Sequence, residues 1–95
     1  MDYYWDRVKN EKLISRRGIS FEEIVLAIED EKILDEVEHP NETKYKNQKM
    51  YIVELNNYAY LVPFVQDKEH IFLKTIIPSR KATRKYLRRP DNENI

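Results

Sequence analysis

Met50-Tyr51-Ile52-Val53-Glu54-Leu55-Asn56-Asn57-Tyr58-Ala59-Tyr60-Leu61-Val62-Pro63-Phe64-Val65 is the stretch that decides the fold. Two runs rich in β-branched and aromatic residues flank Asn56-Asn57, and asparagine tolerates the positive φ that a two-residue hairpin turn demands. Pairing about that turn sets Leu55 against Tyr58, Val53 against Tyr60 and Tyr51 against Val62 on one face. Met50, Ile52, Glu54, Ala59, Leu61 and Pro63 fall on the other. Both faces are mostly apolar, so both must be covered. Helices account for one cover, and a partner chain is a candidate for the other. Pro63 has no N–H to give a ladder, which places an edge or a bulge beside it.

Before the hairpin the periodicity is helical. A first helix over about Asp6 to Arg17 takes Asp6 as its cap and is stopped by Gly18, the only glycine, in the left-handed region. A second starts from a capping box, Ser20 with Glu23, and turns Phe21, Ile24, Val25 and Ile28 to one side. Ile33 to Glu38 then reads as a strand. After the hairpin a further strand, Ile71 to Ile77, runs into Pro78 and Ser79, and Ser79 caps a last helix ending near Arg88. Ala82, Thr83, Tyr86 and Leu87 gather on one half of that helix. Arg80, Arg84 and Arg88 line the other, with Lys81, Lys85 and Arg89 beside them. The element order is β-α-α-β-β-β-β-α, an α+β domain with one antiparallel sheet and helices packed on it.

The chain has 95 residues, enough for one domain over 1–89, followed by a polar tail over 90–95 that reads as disordered. With 41% hydrophobic and 36% charged residues, it has the composition of a globular domain with a heavily charged surface. No apolar run approaches the ~18 residues of a membrane helix, and the first residues do not resemble a signal peptide, so a soluble cytoplasmic protein is expected. There is no cysteine, hence no thiolate chemistry, and only His39 and His70 are left as soft metal ligands. Neither a metal site nor a cofactor is expected.

Lysine plus arginine and aspartate plus glutamate both number 17, but they are segregated. Residues 1–42 hold 12 acidic and 6 basic side chains, whereas residues 74–95 hold 7 basic and 2 acidic. From Lys74 to Arg89 there is no acid. Such a block is an anion surface for nucleic acid or an acidic partner.

Three blocks, Trp5-Asp6-Arg7-Val8-Lys9-Asn10, Arg16-Arg17-Gly18-Ile19-Ser20-Phe21-Glu22-Glu23 and Ser79-Arg80-Lys81-Ala82-Thr83-Arg84, resemble the BrnT family in order and spacing. The resemblance runs from about Trp5 to Arg88. It implies a RelE-like fold, a bacterial or archaeal cytoplasmic toxin of a type II toxin–antitoxin pair, and metal-independent cleavage of RNA. It also implies a small BrnA-like antitoxin as partner, with operator DNA reached only through that antitoxin. An alternative is a non-catalytic RelE-like module that joins an antitoxin in an operon-regulating complex, and the zero net charge favours it.

Cleavage through the 2′-hydroxyl needs a base, cations for the phosphorane and an acid for the leaving oxygen. Proteins of the RelE type are similar in using Arg, Lys and Tyr for this. Arg80 and Arg84, one turn apart, suit a single phosphate, and Lys74, pointing with Phe72 and Ile76, is expected near the start of the same helix. His39 is the natural titrating group near neutral pH. Lys81, Lys85 and Arg88 extend the basic face. Lys44, Tyr45 and Lys46, in the loop after His39, alternate charge with an aromatic ring, as single-stranded RNA would require. Tyr86, on the apolar side of its helix, reads first as structural. Tyr51, Tyr58 and Tyr60 read as a packed cross-strand cluster, Trp5 and Phe21 as core anchors, and His70 as an exposed turn residue.

Overall fold

The computed structural model of the chain describes residues 1–39 and 48–88. Along it run β1 (Asp2–Tyr4), α1 (Arg7–Arg17), α2 (Phe21–Glu29), β2 (Ile33–Glu38), β3 (Lys49–Leu55), β4 (Tyr58–Asp67), β5 (His70–Leu73), β6 (Ile77–Pro78) and α3 (Arg80–Leu87). Asn56 and Asn57 both take positive φ, 55° and 63°, and join β3 to β4 in the register their side chains dictate. The sheet order is β1-β5-β4-β3-β2, with β6 also against β4. It is mixed rather than wholly antiparallel, because β1 lies parallel to β5, with Tyr3 opposite Ile71.

The helix ends form as their sequences require. Asp6 accepts from the Val8 amide, and Gly18, at φ 66°, closes α1 by donating to the Ile14 carbonyl. Ser20 and Glu23 make the reciprocal capping box of α2. Phe21, Ile24 and Ile28 are buried against Tyr51, Val53, Val62 and Phe64 on one face of the hairpin. Trp5 stacks on Phe21 with ring centroids 5.7 Å apart. On the other face, Ile52 and Ala59 pack with Ala82, flanked by Leu34, Val37, Leu61, Tyr86 and Leu87. On this second face the chain's own α3 supplies cover.

Ile71 to Ile77 does not form one strand. β5 stops at Leu73, residues 74–76 leave the ladder, and β6 resumes beside Tyr60 and Leu61. Pro63 supplies the reason. The N–H and C=O of one strand residue point to the same side; the Pro63 carbonyl accepts from the Lys74 amide (2.8 Å), yet no N–H stands beside it to continue the ladder. Ile76 leaves for the core under α1 and α2, and so does not share a face with Phe72 and Lys74.

Asn10, 5% exposed, joins the two N-terminal helices. Its carbonyl oxygen accepts from the Phe21 amide (2.8 Å) and its amide nitrogen donates to Glu22 Oε1 (2.7 Å). That bond is the main reason the Glu22 carboxyl titrates below its ordinary range. Asn10→Ala leaves the buried Phe21 amide unpaired, so urea unfolding should show a loss of about 1–3 kcal/mol.

Candidate nucleic-acid interface

Five cations stand on one side of a helix only two turns long, and the structure holds that helix down at both ends. At its start, the Ser79 amide donates to the Ala59 carbonyl (3.0 Å) and the Ser79 hydroxyl accepts from the Ala82 amide (3.0 Å). Thr83, 1% exposed, accepts from the Ala59 amide and donates to the Ser79 carbonyl, both at 2.8 Å. Ala82 against Ala59 lets the helix lie close to the strand. At its end, the Tyr86 hydroxyl donates to Asp35 Oδ2 at 2.6 Å. Asp35 sits at a register shift of β2, and its other oxygen accepts from the Glu36 amide (2.8 Å).

With that side anchored, Arg80, Lys81, Arg84, Lys85 and Arg88 are exposed. At ~100° per residue, Arg80 and Arg84 are one turn apart, and Cβ atoms so spaced are roughly 5–6 Å from each other. Among the described residues none of these five cations has a carboxylate within 4.0 Å; the ion pair found there joins Lys49 to Glu36. Lys85 lies 5.2 Å from the Tyr86 ring centroid. Between α3 and the sheet runs an open groove of about 250 Å³ with an apolar floor of Val37, Ile52 and Leu61. Lys81 and Lys85 form its charged rim.

The sheet places the remaining predicted residues on either flank. Val65 and Phe72 are opposed across β4 and β5, and Val65 alternates with Ala59 and Leu61, so Phe72 shares the face that α3 covers. Lys74 reaches back over Phe72, its Nζ 5.5 Å from the ring centroid. His39 directly follows β2, two residues past Val37, about 6.6 Å along an extended chain, and its amide donates to the Gln48 carbonyl. His39 and Lys74 thus belong to one end of one sheet face but to its β2 and β5 sides. Three strand spacings of ~4.8 Å separate them, roughly 14 Å, so they do not converge on one phosphate. Lys44, Tyr45 and Lys46 lie outside the described residues, as does the tail over 90–95.

The tyrosines expected as one cross-strand cluster make ring contacts in separate pairs. Tyr51 stacks on Phe64 at 4.0 Å in the core opposite α3, and burial, aided by Tyr3 and Glu36, pushes its hydroxyl up to about 12. Tyr58 meets Tyr60 edge-on at 5.7 Å. His70, exposed, meets Tyr4 edge-on at 5.2 Å. What sequence reasoning missed is the partner of each anchor. Asp35 for Tyr86 and Ala59 for Thr83 are 51 and 24 residues away, and no local signal marks them.

A family model described as the ribonuclease toxin BrnT of type II toxin–antitoxin systems matches residues 5–85 of the chain. The chain belongs to the BrnT family. The match begins at Trp5 and ends at Lys85, covering α1, α2, β2 to β6 and most of α3. A BrnT protein is a ribonuclease toxin, and its type II system implies an antitoxin partner. Searches of the curated proteins and of the solved structures found no match. No helix among the described residues is long and apolar enough to cross a membrane, and among them no group of three or more His, Cys, Asp or Glu side chains is placed to hold a metal ion.

The latch on the BrnT helix titrates. The Tyr86 hydroxyl bond, then the Glu36 amide and the nearby Lys85 charge, hold the Asp35 carboxyl below its ordinary value. A carboxylate with a depressed folded pKa contributes stability above its unfolded value, ~3.9, and that contribution drains away as pH falls through the folded value. Thermal melts between about pH 2 and pH 7 should therefore show Tyr86→Phe less stable than wild type at neutral pH. The gap should close in acid.

Proposed function

We propose that the chain is a metal-independent endoribonuclease whose phosphate-binding surface is the outer side of α3. The observation that carries this reading is Arg80 and Arg84, exposed on one face of a helix anchored at both ends, with no carboxylate partner among the described residues. Guanidinium forks one turn apart match the oxygens of one phosphate, and the anchored helix sets the positions from which they reach it as charge grows on the phosphorane. The RNA 2′-oxygen attacks phosphorus and the bond to the 5′-oxygen breaks. The 2′-hydroxyl proton passes to a base, and the departing 5′-oxygen takes up a proton. The products end in a 2′,3′-cyclic phosphate and a 5′-hydroxyl.

His39 is the candidate base, since it stands two residues past Val37 of the groove and an imidazole nitrogen can accept the 2′-hydroxyl proton. Lys81 and Lys85 above the apolar floor would hold backbone charge while a base rests on Val37 and Leu61. Lys74 on its Phe72 platform, on the opposite flank from His39, and Arg88 at the helix end lengthen the track for the strand. The antitoxin is a BrnA-like protein in this reading, and operator DNA is met only through it.

A second reading, a module that binds its antitoxin without cutting RNA, is favoured by the zero net charge and by the commitment of the Tyr86 hydroxyl to Asp35. Purified chain incubated with single-stranded RNA in EDTA separates the two. Cleavage leaving 2′,3′-cyclic ends should fall about a hundredfold in Arg80→Ala and in Arg84→Ala, with circular dichroism unchanged. Equal cleavage in both variants would remove the site from α3. No cleavage of free or ribosome-bound RNA by folded wild type would leave the binding module.

A further inference from the structure

α1 carries a second basic surface on the other side of the segment that leads into α3. Lys9, Lys12, Arg16 and Arg17 recur at helical spacing around the buried Leu13, and with Thr75 and Ile77 they line a groove of about 240 Å³. No acid lines it. Glu11, on the same helix, projects from the far side, since two residues of helix turn a side chain through about 200°. Among the described residues no carboxylate lies within 4.0 Å of any of the four cations. Arg17 donates to the Ile76 carbonyl at 3.0 Å, which ties the end of α1 to the connection between β5 and β6. Lys9, Lys12 and Arg16 remain exposed.

The place of this groove matters as much as its charge. Its second wall, Thr75 and Ile77, follows Lys74 directly and lies three residues before Arg80. β6 pairs with β4 and among the described residues has no strand on its outer side. Along the chain, the exposed Ile77 and Pro78 of β6 stand between the two basic surfaces. From Lys9 to Arg16 the helix advances about 10 Å, longer than the ~3.4 Å rise per nucleotide of a stacked strand.

We propose that the α1 groove binds the phosphodiester backbone of the RNA strand that α3 holds, at nucleotides beyond the scissile one. This rests on the reading of α3 as an RNA-binding surface. The strand crosses β6, and Lys12 and Arg16 neutralise its phosphates without reading bases, so the groove adds affinity and a preference for longer strands but no sequence specificity.

The test uses the full chain and a fluorescein-labelled 2′-O-methyl RNA of about 12 nucleotides, which fits the span of such sites and resists cutting. Affinity is read by fluorescence anisotropy over a series of KCl concentrations. Lys12→Ala/Arg16→Ala should weaken binding several-fold at low salt and reduce the log–log salt slope by about 1.4, since each single-strand phosphate contact accounts for ~0.7. The loss should be greater for this strand than for one of about 4 nucleotides. Both positions are exposed and alanine favours helix, so the fold should persist; Lys12→Gln/Arg16→Gln provides a second variant with longer side chains. If both α1 variants keep wild-type affinity and slope while Arg80→Ala/Arg84→Ala loses both, the α1 proposal is overturned and the α3 reading stands. If the α1 variants lose binding and the α3 variant does not, the groove binds RNA without α3, so the α3 assignment falls and the proposal of one strand across both surfaces falls with it. Folded wild type that does not bind the strand overturns both.

Discussion

Ala59 gives both of its backbone groups to the chain that returns across it, its carbonyl to the Ser79 amide and its amide to Thr83 Oγ1. This exchange is the constraint on which the basic face depends. The chain turns into α3 at Ser79, whose carbonyl is taken by Thr83, so the buried Ala59 amide would be left without a backbone acceptor. Thr83 supplies its hydroxyl oxygen instead and, through the Ser79 carbonyl, binds the first turn of α3 to the same point. A helix of eight residues is too short to be stable alone in water. Its position comes from this joint, from Ala82 on Ala59, and from the Tyr86 bond to Asp35.

Once α3 is fixed, the electrostatics follow. Cations close together on one helix repel, and α3 has neither first-turn acids nor an ion pair among the described residues to offset this. Placing basic residues at the start of a helix also opposes its dipole. A structure that tolerates such an arrangement gains anion affinity at the expense of local stability, the pattern expected of a binding surface. The apolar half of α3 supplies the compensation by covering Ile52 and Leu61.

The two basic surfaces share one structural origin. Pro63 breaks the ladder between β5 and β6, and the freed residues 74–76 separate the chain into two directions. Lys74 goes to the α3 side over Phe72, while Ile76 goes into the core and presents its carbonyl to Arg17. An unbroken strand would have kept Lys74 and Ile76 on one face. The break therefore sets the distance between the α1 groove and the α3 face.

Local chemistry was enough to determine the hairpin at Asn56-Asn57, the caps at Asp6, Ser20 and Ser79, the left-handed stop at Gly18 and the two-faced pattern of α3. Each depends on residues within four positions of one another, where backbone geometry leaves few choices. Three blocks of residues also sufficed to indicate the BrnT family. Tertiary structure alone decided that β1 would run parallel to β5, that α3 would pack on the second face, and that Asp35 would receive Tyr86. It alone put His39 and Lys74 on opposite flanks, and it turned the cations of α1 toward Thr75 and Ile77. These outcomes depend on pairings across tens of residues, which are set by which apolar surfaces exclude water together and which buried groups find partners, and no spacing in the sequence encodes them.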